Sequence, residues 1–128
     1  MAHYRDGGNM GFVSTGDLSA AGNQFLAVKL DSNGQIVLAS AATDKIIGTL
    51  LDTPGTGRVG TVRLRSCSGT LNILVGSGGS IARGDAVTAD SAGAGVTTTT
   101  AGNQIIGYAL EAGAAGTVIE LMPSTAKV

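Results

Sequence analysis

Apolar and polar positions alternate along this chain at a period of two, in short runs cut by glycine. The clearest run is Thr61-Val62-Arg63-Leu64-Arg65, where Val62 and Leu64 share one side and the polar residues the other. That period marks a strand with one buried face. Residues 70–75 follow the same rule, with Leu71, Ile73 and Val75 on one face. Similar signals predict strands over residues 25–30, 35–39, 45–51, 58–65, 86–89, 95–99, 104–110 and 117–122. No segment keeps a helical period over three turns; a short helical turn fits near residues 19–23. The pattern predicts an all-β fold, a small antiparallel β-barrel or sandwich.

The predicted strands fall into two sets. Shifted by 59 residues, residues 27–59 lie on residues 86–118 without a gap. Ala27-Val28 meets Ala86-Val87, Asp31-Ser32 meets Asp90-Ser91, Gly34 meets Gly93, and Ile46-Ile47-Gly48 meets Ile105-Ile106-Gly107. Each set runs strand, Asp-Ser-x-Gly turn, strand, polar link, apolar strand, glycine-rich turn, strand; Asn33-Gly34 is a strong hairpin signal. Two copies are fewer than a solenoid needs. They imply one domain over residues 23–122, with halves near 23–66 and 67–122, arranged about a pseudo-two-fold axis. Ile47 and Ile106 should then be equivalent and buried. Residues 1–22 stand outside the repeat. They hold Tyr4, Met10 and Phe12 in a glycine-rich stretch with no evident strand partner, which reads as an extended N-terminal arm. Residues 123–128 read as a flexible tail.

The composition sharpens this picture. A chain of 128 residues suits one domain large enough for a core without metal or disulfide. With 21 glycines, no tryptophan and 3% aromatics, that core must be thin and aliphatic. Net charge is −1, with no basic excess of the kind that neutralises phosphates, so no nucleic-acid partner is expected. Charged residues make up only 13%, low for an isolated monomer, and part of the surface is expected to lie against other protein. No apolar run approaches the roughly 20 residues that cross a bilayer, and the N-terminus lacks a signal-type apolar segment. The expectation is a protein made in the cytoplasm, with no membrane partner.

Chemistry is poorly supplied. His3 is the single histidine, and Cys67 the single cysteine, expected as an inert small hydrophobe. Neither a catalytic triad nor a metal ligand set can be assembled from them, so no catalytic residue, metal or cofactor is expected and the protein is read as a non-enzyme. Asp31-Ser32-Asn33-Gly34 opens like a calcium loop but lacks the closing ligands. Gly76-Ser77-Gly78-Gly79-Ser80 lacks the lysine and helix of a phosphate loop. Arg83-Gly84-Asp85 spells an adhesion tripeptide where a turn is expected. Asp44-Lys45 matches the hairpin tip of lipoyl carrier domains, but the other half has Asn103-Gln104 there.

The second half carries a family likeness. Gly84-Asp85-Ala86-Val87-Thr88-Ala89-Asp90, then Gly93, Val96-Thr97, Ile105-Ile106-Gly107-Tyr108-Ala109-Leu110-Glu111-Ala112 and Val118-Ile119-Glu120-Leu121, resembles tailed-phage capsid decoration (cement) proteins. The likeness is good over about 40 C-terminal residues and looser before them. It implies a virion protein on the outer capsid surface, partnered by the major capsid protein and by itself as a homotrimer, with no chemistry. In that setting the arm residues Tyr4, Arg5, Met10 and Phe12 become candidate capsid contacts, the aromatics as anchors and Arg5 as a partner for a shell carboxylate. The competing expectation is a glycan- or receptor-binding appendage, for which four aromatics are few.

Overall fold

The computed structural model describes residues 8–128. Ten strands follow in order: β1 (Asn9–Val13), β2 (Ala27–Leu30), β3 (Ile36–Leu38), β4 (Ile46–Leu50), β5 (Val59–Leu64), β6 (Leu71–Leu74), β7 (Ala86–Ala89), β8 (Gly95–Thr97), β9 (Gly107–Ala109) and β10 (Val118–Pro123). A 3₁₀ turn at Ala21–Asn23 is the one helical element among the described residues. The strands form two five-stranded antiparallel sheets, ordered β1-β5-β4-β2-β3 and β6-β10-β9-β7-β8. The orders are the same with each number raised by five, so the fold is all-β and duplicated. Single parallel bridges, Ser14 to Ile36 and Val75 to Gly95, draw the outer strands of each sheet together. Neither sheet closes into a barrel, and the architecture is sandwich-like.

The repeat begins earlier than the sequence reading places it. Residues 9–13, assigned there to an arm without a partner, form β1 and pair with β5. Val13 faces Val59 as Leu74 faces Val118, so β1 is the counterpart of β6 at an offset of 61, against 59 elsewhere. That two-residue slip, together with dissimilar side chains, hides the match in the sequence. The tail also differs from the expectation. Pro123 ends β10, and beyond it Ile105 N–H donates to Ala126 O (2.9 Å) and Val128 N–H to Asn103 O (2.8 Å).

Local chemistry explains the repeated motifs. In each Asp-Ser-x-Gly turn the aspartate carboxylate accepts two backbone N–H bonds. Asp31 Oδ1 takes Asn33 N (2.9 Å) and Gln35 N (3.0 Å); Asp90 Oδ1 takes Ala92 N (2.8 Å) and Ala94 N (3.0 Å). The Ile-Ile-Gly blocks need glycine for closeness. A Cβ on Gly48 would lie 2.0 Å from Arg63 O, and one on Gly107 2.5 Å from Met122 O. Ile47 and Ile106 are equivalent, each preceding that glycine, but Ile106 is fully buried while Ile47 is half-buried against the first core.

Two aliphatic cores result. Leu18, Val28, Ile36, Leu50 and Val62 form the first, with Phe12 and Leu64 packed on it. The second is built by the second half but also takes in Ala27, Ala39 and Ile46. The halves are fastened where Ala27 N–H donates to Gly93 O (2.7 Å) and Leu74 N–H to Phe25 O (3.0 Å). Gly93 is wedged so that a Cβ there would meet Ala27 O at 3.0 Å and Ala39 O at 3.2 Å; its counterpart Gly34 has nothing within 4 Å. A two-fold relation would make both contacts. The halves therefore meet head to tail, and the expected pseudo-two-fold axis is absent.

Arg65 completes the fastening. It is 7% exposed, and all five of its N–H donors are used. Nε donates to Ser124 O (2.7 Å), Nη1 to Ile46 O (3.2 Å) and Gln104 Oε1 (3.0 Å), Nη2 to Ile105 O (2.7 Å) and Ala126 O (2.9 Å). One side chain thus ties β4, the approach to β9 and the C-terminal tail. Burial lowers its pKa from the ordinary value.

Candidate functional site

Of the four candidate contact residues, Tyr4 and Arg5 lie outside the described residues. Met10 and Phe12 lie on β1, an outer strand of the first sheet. Both are half-buried, and Phe12 packs on the first core. The structure therefore gives Phe12 a place in the domain itself, where it holds β1 down. His3 also falls outside the described residues.

The motifs that raised chemical alternatives have structural work. Asp44 Oδ2 accepts from Ser40 N (2.9 Å), Ala41 N (3.0 Å) and Lys29 Nζ (3.0 Å), so it closes its own loop. The Ser40 hydrogen bond leads in lowering its pKa, with Lys29 and Ala41 adding and burial opposing. Asp85 Oδ2 accepts from Ala82 N (2.9 Å) and closes the turn that holds Arg83 and Gly84. Arg83 Nε donates to Leu110 O (3.2 Å). Cys67 is half-buried and unpaired by disulfide. Among the described residues no group of three or more His, Cys, Asp or Glu converges on a point, and no helix is long and apolar enough to cross a membrane.

Two of the open depressions among the described residues are notable. One of about 610 Å³ lies between the loops at residues 80–85 and 112–114, with Asp85 as its titratable group. The other, about 240 Å³, lies between β1, β5 and β6 and is lined by Asn9, Leu51, Arg63, Thr70, Leu71 and Asn72. Neither brings together a nucleophile, a base and an oxyanion donor.

The exposed apolar residues are more telling. Val59 is 66% exposed and its counterpart Val118 43%, each opening the last strand of its half; Met122 (52%) and Leu110 (42%) extend the second set. They lie mainly on the outer face of the second sheet, where Met122 pairs with half-buried Tyr108. The sequence reading did not single them out. Strand parity carries the signal: with Val62 and Gly60 inward, Val59 must point out, and with Ile119 and Leu121 inward, so must Val118 and Met122.

The phage cement protein family model matches residues 32–123. No curated protein matches the chain. Among solved structures, the fold is similar to the N base of head fiber gp8.5 in bacteriophage phi29, with a TM-score of 0.68 at 21% identity. That alignment covers 94% of this chain and 96% of the other.

Proposed function

Since the chain belongs to the phage cement protein family, we propose that this virion structural protein binds the outer surface of a phage capsid and stabilises it by bridging neighbouring major capsid subunits. The family match over residues 32–123 carries the reading. The low charge fraction and the exposed valines and Met122 support it, because each is surface that contact with other protein would remove from water. A clamp of this kind spreads a standard interface of about 1,200–2,000 Å² over several shell subunits. Self-association, with a homotrimer as the proposed state, multiplies those contacts through avidity.

With Phe12 engaged in the core and Met10, opposite Val62, on the same inward face of β1, Tyr4 and Arg5 are the proposed shell contacts, and Tyr4 the proposed anchor. Purified protein should co-sediment with capsid shells that lack it. Binding should saturate at a stoichiometry matching the lattice three-folds and raise the temperature at which shells rupture. Absent or unsaturable binding would overturn the reading.

A further inference from the structure

The two halves share one topology but differ in what covers them. On the first half, Ala27 is fully buried: its N–H is bonded to Gly93 O and the turn at residues 90–93 is wedged against it. Thr49 on the same face is also fully buried. On the second half the counterparts lie open. Ala86 and Tyr108 are half-buried, and Gly84, the counterpart of half-buried Phe25, is exposed. The turn shows the converse. Gly93 is buried in its socket, while Gly34 is exposed with nothing within 4 Å among the described residues.

The strand edges repeat the asymmetry. Leu74 N–H, at the free edge of β6, donates to Phe25 O. Its counterpart is Val13 on β1. Ser14 N–H donates to Arg58 O, which makes Ser14 and Arg58 a hydrogen-bonded pair. By the alternation of an antiparallel ladder, Val13 N–H then points away from β5, to the free edge. The counterpart of Phe25 O is Gly84 O, on the second half.

The first half thus carries an unused turn and edge, and the second half an unused socket for both. A contact of this kind is heterologous: the surface that docks and the surface that receives are different. We propose that copies of this chain associate head to tail, with the turn at residues 31–34 and the β1 edge of one copy seated on the Gly84, Ala86 and Tyr108 face of the next. Gly34 O then meets Ala86 N–H and Val13 N–H meets Gly84 O, repeating between copies the junction already built within each. The proposal assigns a surface to the self-association proposed above and rests on it.

Light scattering on four samples tests this. Gly34→Asn adds a side chain to the plug; asparagine tolerates the left-handed conformation of Gly34 (φ +75°), so the turn should survive. Ala86→Arg fills the socket with a chain long enough to reach water. Wild type should be oligomeric, and each variant alone should associate roughly tenfold or more weakly. An equimolar mixture should form a 1:1 pair and stop there, because each variant supplies the sound surface that the other lacks. Circular dichroism checks folding; should Ala86→Arg not fold, loss of association by folded Gly34→Asn decides. Folded variants that keep the wild-type oligomer would overturn this surface and leave self-association standing. So would a mixture that stays monomeric. A wild type that is monomeric at its highest soluble concentration would overturn both.

Discussion

Phe25 stands at φ +68° where its counterpart Gly84 stands at +88°. A residue with a Cβ in that region costs about 1–2 kcal/mol, so the first half holds strain that the second avoids. The repeated glycines of the Ile-Ile-Gly blocks answer a different demand, the approach of backbone from the next strand. Gly48→Ala should destabilise the protein by about 1–3 kcal/mol, read as a lowered urea midpoint with unchanged slope. Arg65 was not legible in advance. Four of its five acceptors are backbone carbonyls, scattered from Ile46 to Ala126, and no side-chain pattern marks them. Arg65→Met would take one donor from each of those carbonyls, leaving Ala126 O with Ile105 N–H, and should cost about 3 kcal/mol or more. Arg65→Lys, with three donors instead of five, should fall between. Matched urea titrations of both variants check the order.

At the scale of elements, the period-two pattern located nine of the ten strands, and the Asp-Ser-x-Gly turns set their hairpins. The missing strand, β1, has no sequence likeness to β6 and sits two residues out of step. Its partner β5 is distant in sequence, so only the ladder reveals it. The loop closed by Asp44 offers a test through pH. Its hydrogen bonds to Ser40 and Ala41 and its pairing with Lys29 hold the carboxyl below its ordinary value of 3.8. A depressed carboxyl contributes stability that is present above the unfolded value and lost as pH falls through the folded one. Asp44→Asn should therefore melt below wild type at neutral pH. The gap should narrow as pH drops below about 4; a gap that stays constant in thermal melts across that range would contradict the role given to Asp44.

For the whole molecule, duplication was readable from spacing, but the way the halves meet was not. A tandem repeat is compatible with a two-fold or a head-to-tail junction, and the choice rests on contacts such as Gly93 against Ala27. The site was legible only in part: Met10 and Phe12 fall on a strand of the domain itself, and the exposed face around Met122 followed from strand parity that the reading did not apply to function. Deleting residues 1–7 leaves β1 intact and removes Tyr4 and Arg5. The shortened protein should fold and self-associate as wild type while binding shells roughly tenfold or more weakly, a change of about 1.4 kcal/mol or more. Undiminished binding would move the contact elsewhere. The central claim, a clamp between capsid subunits, is tested most directly by an image reconstruction of shells lacking the protein after mixing with it. The account predicts added density on the outer surface touching at least two adjacent major capsid subunits. Density confined to one subunit, lying inside the shell, or missing altogether would contradict it.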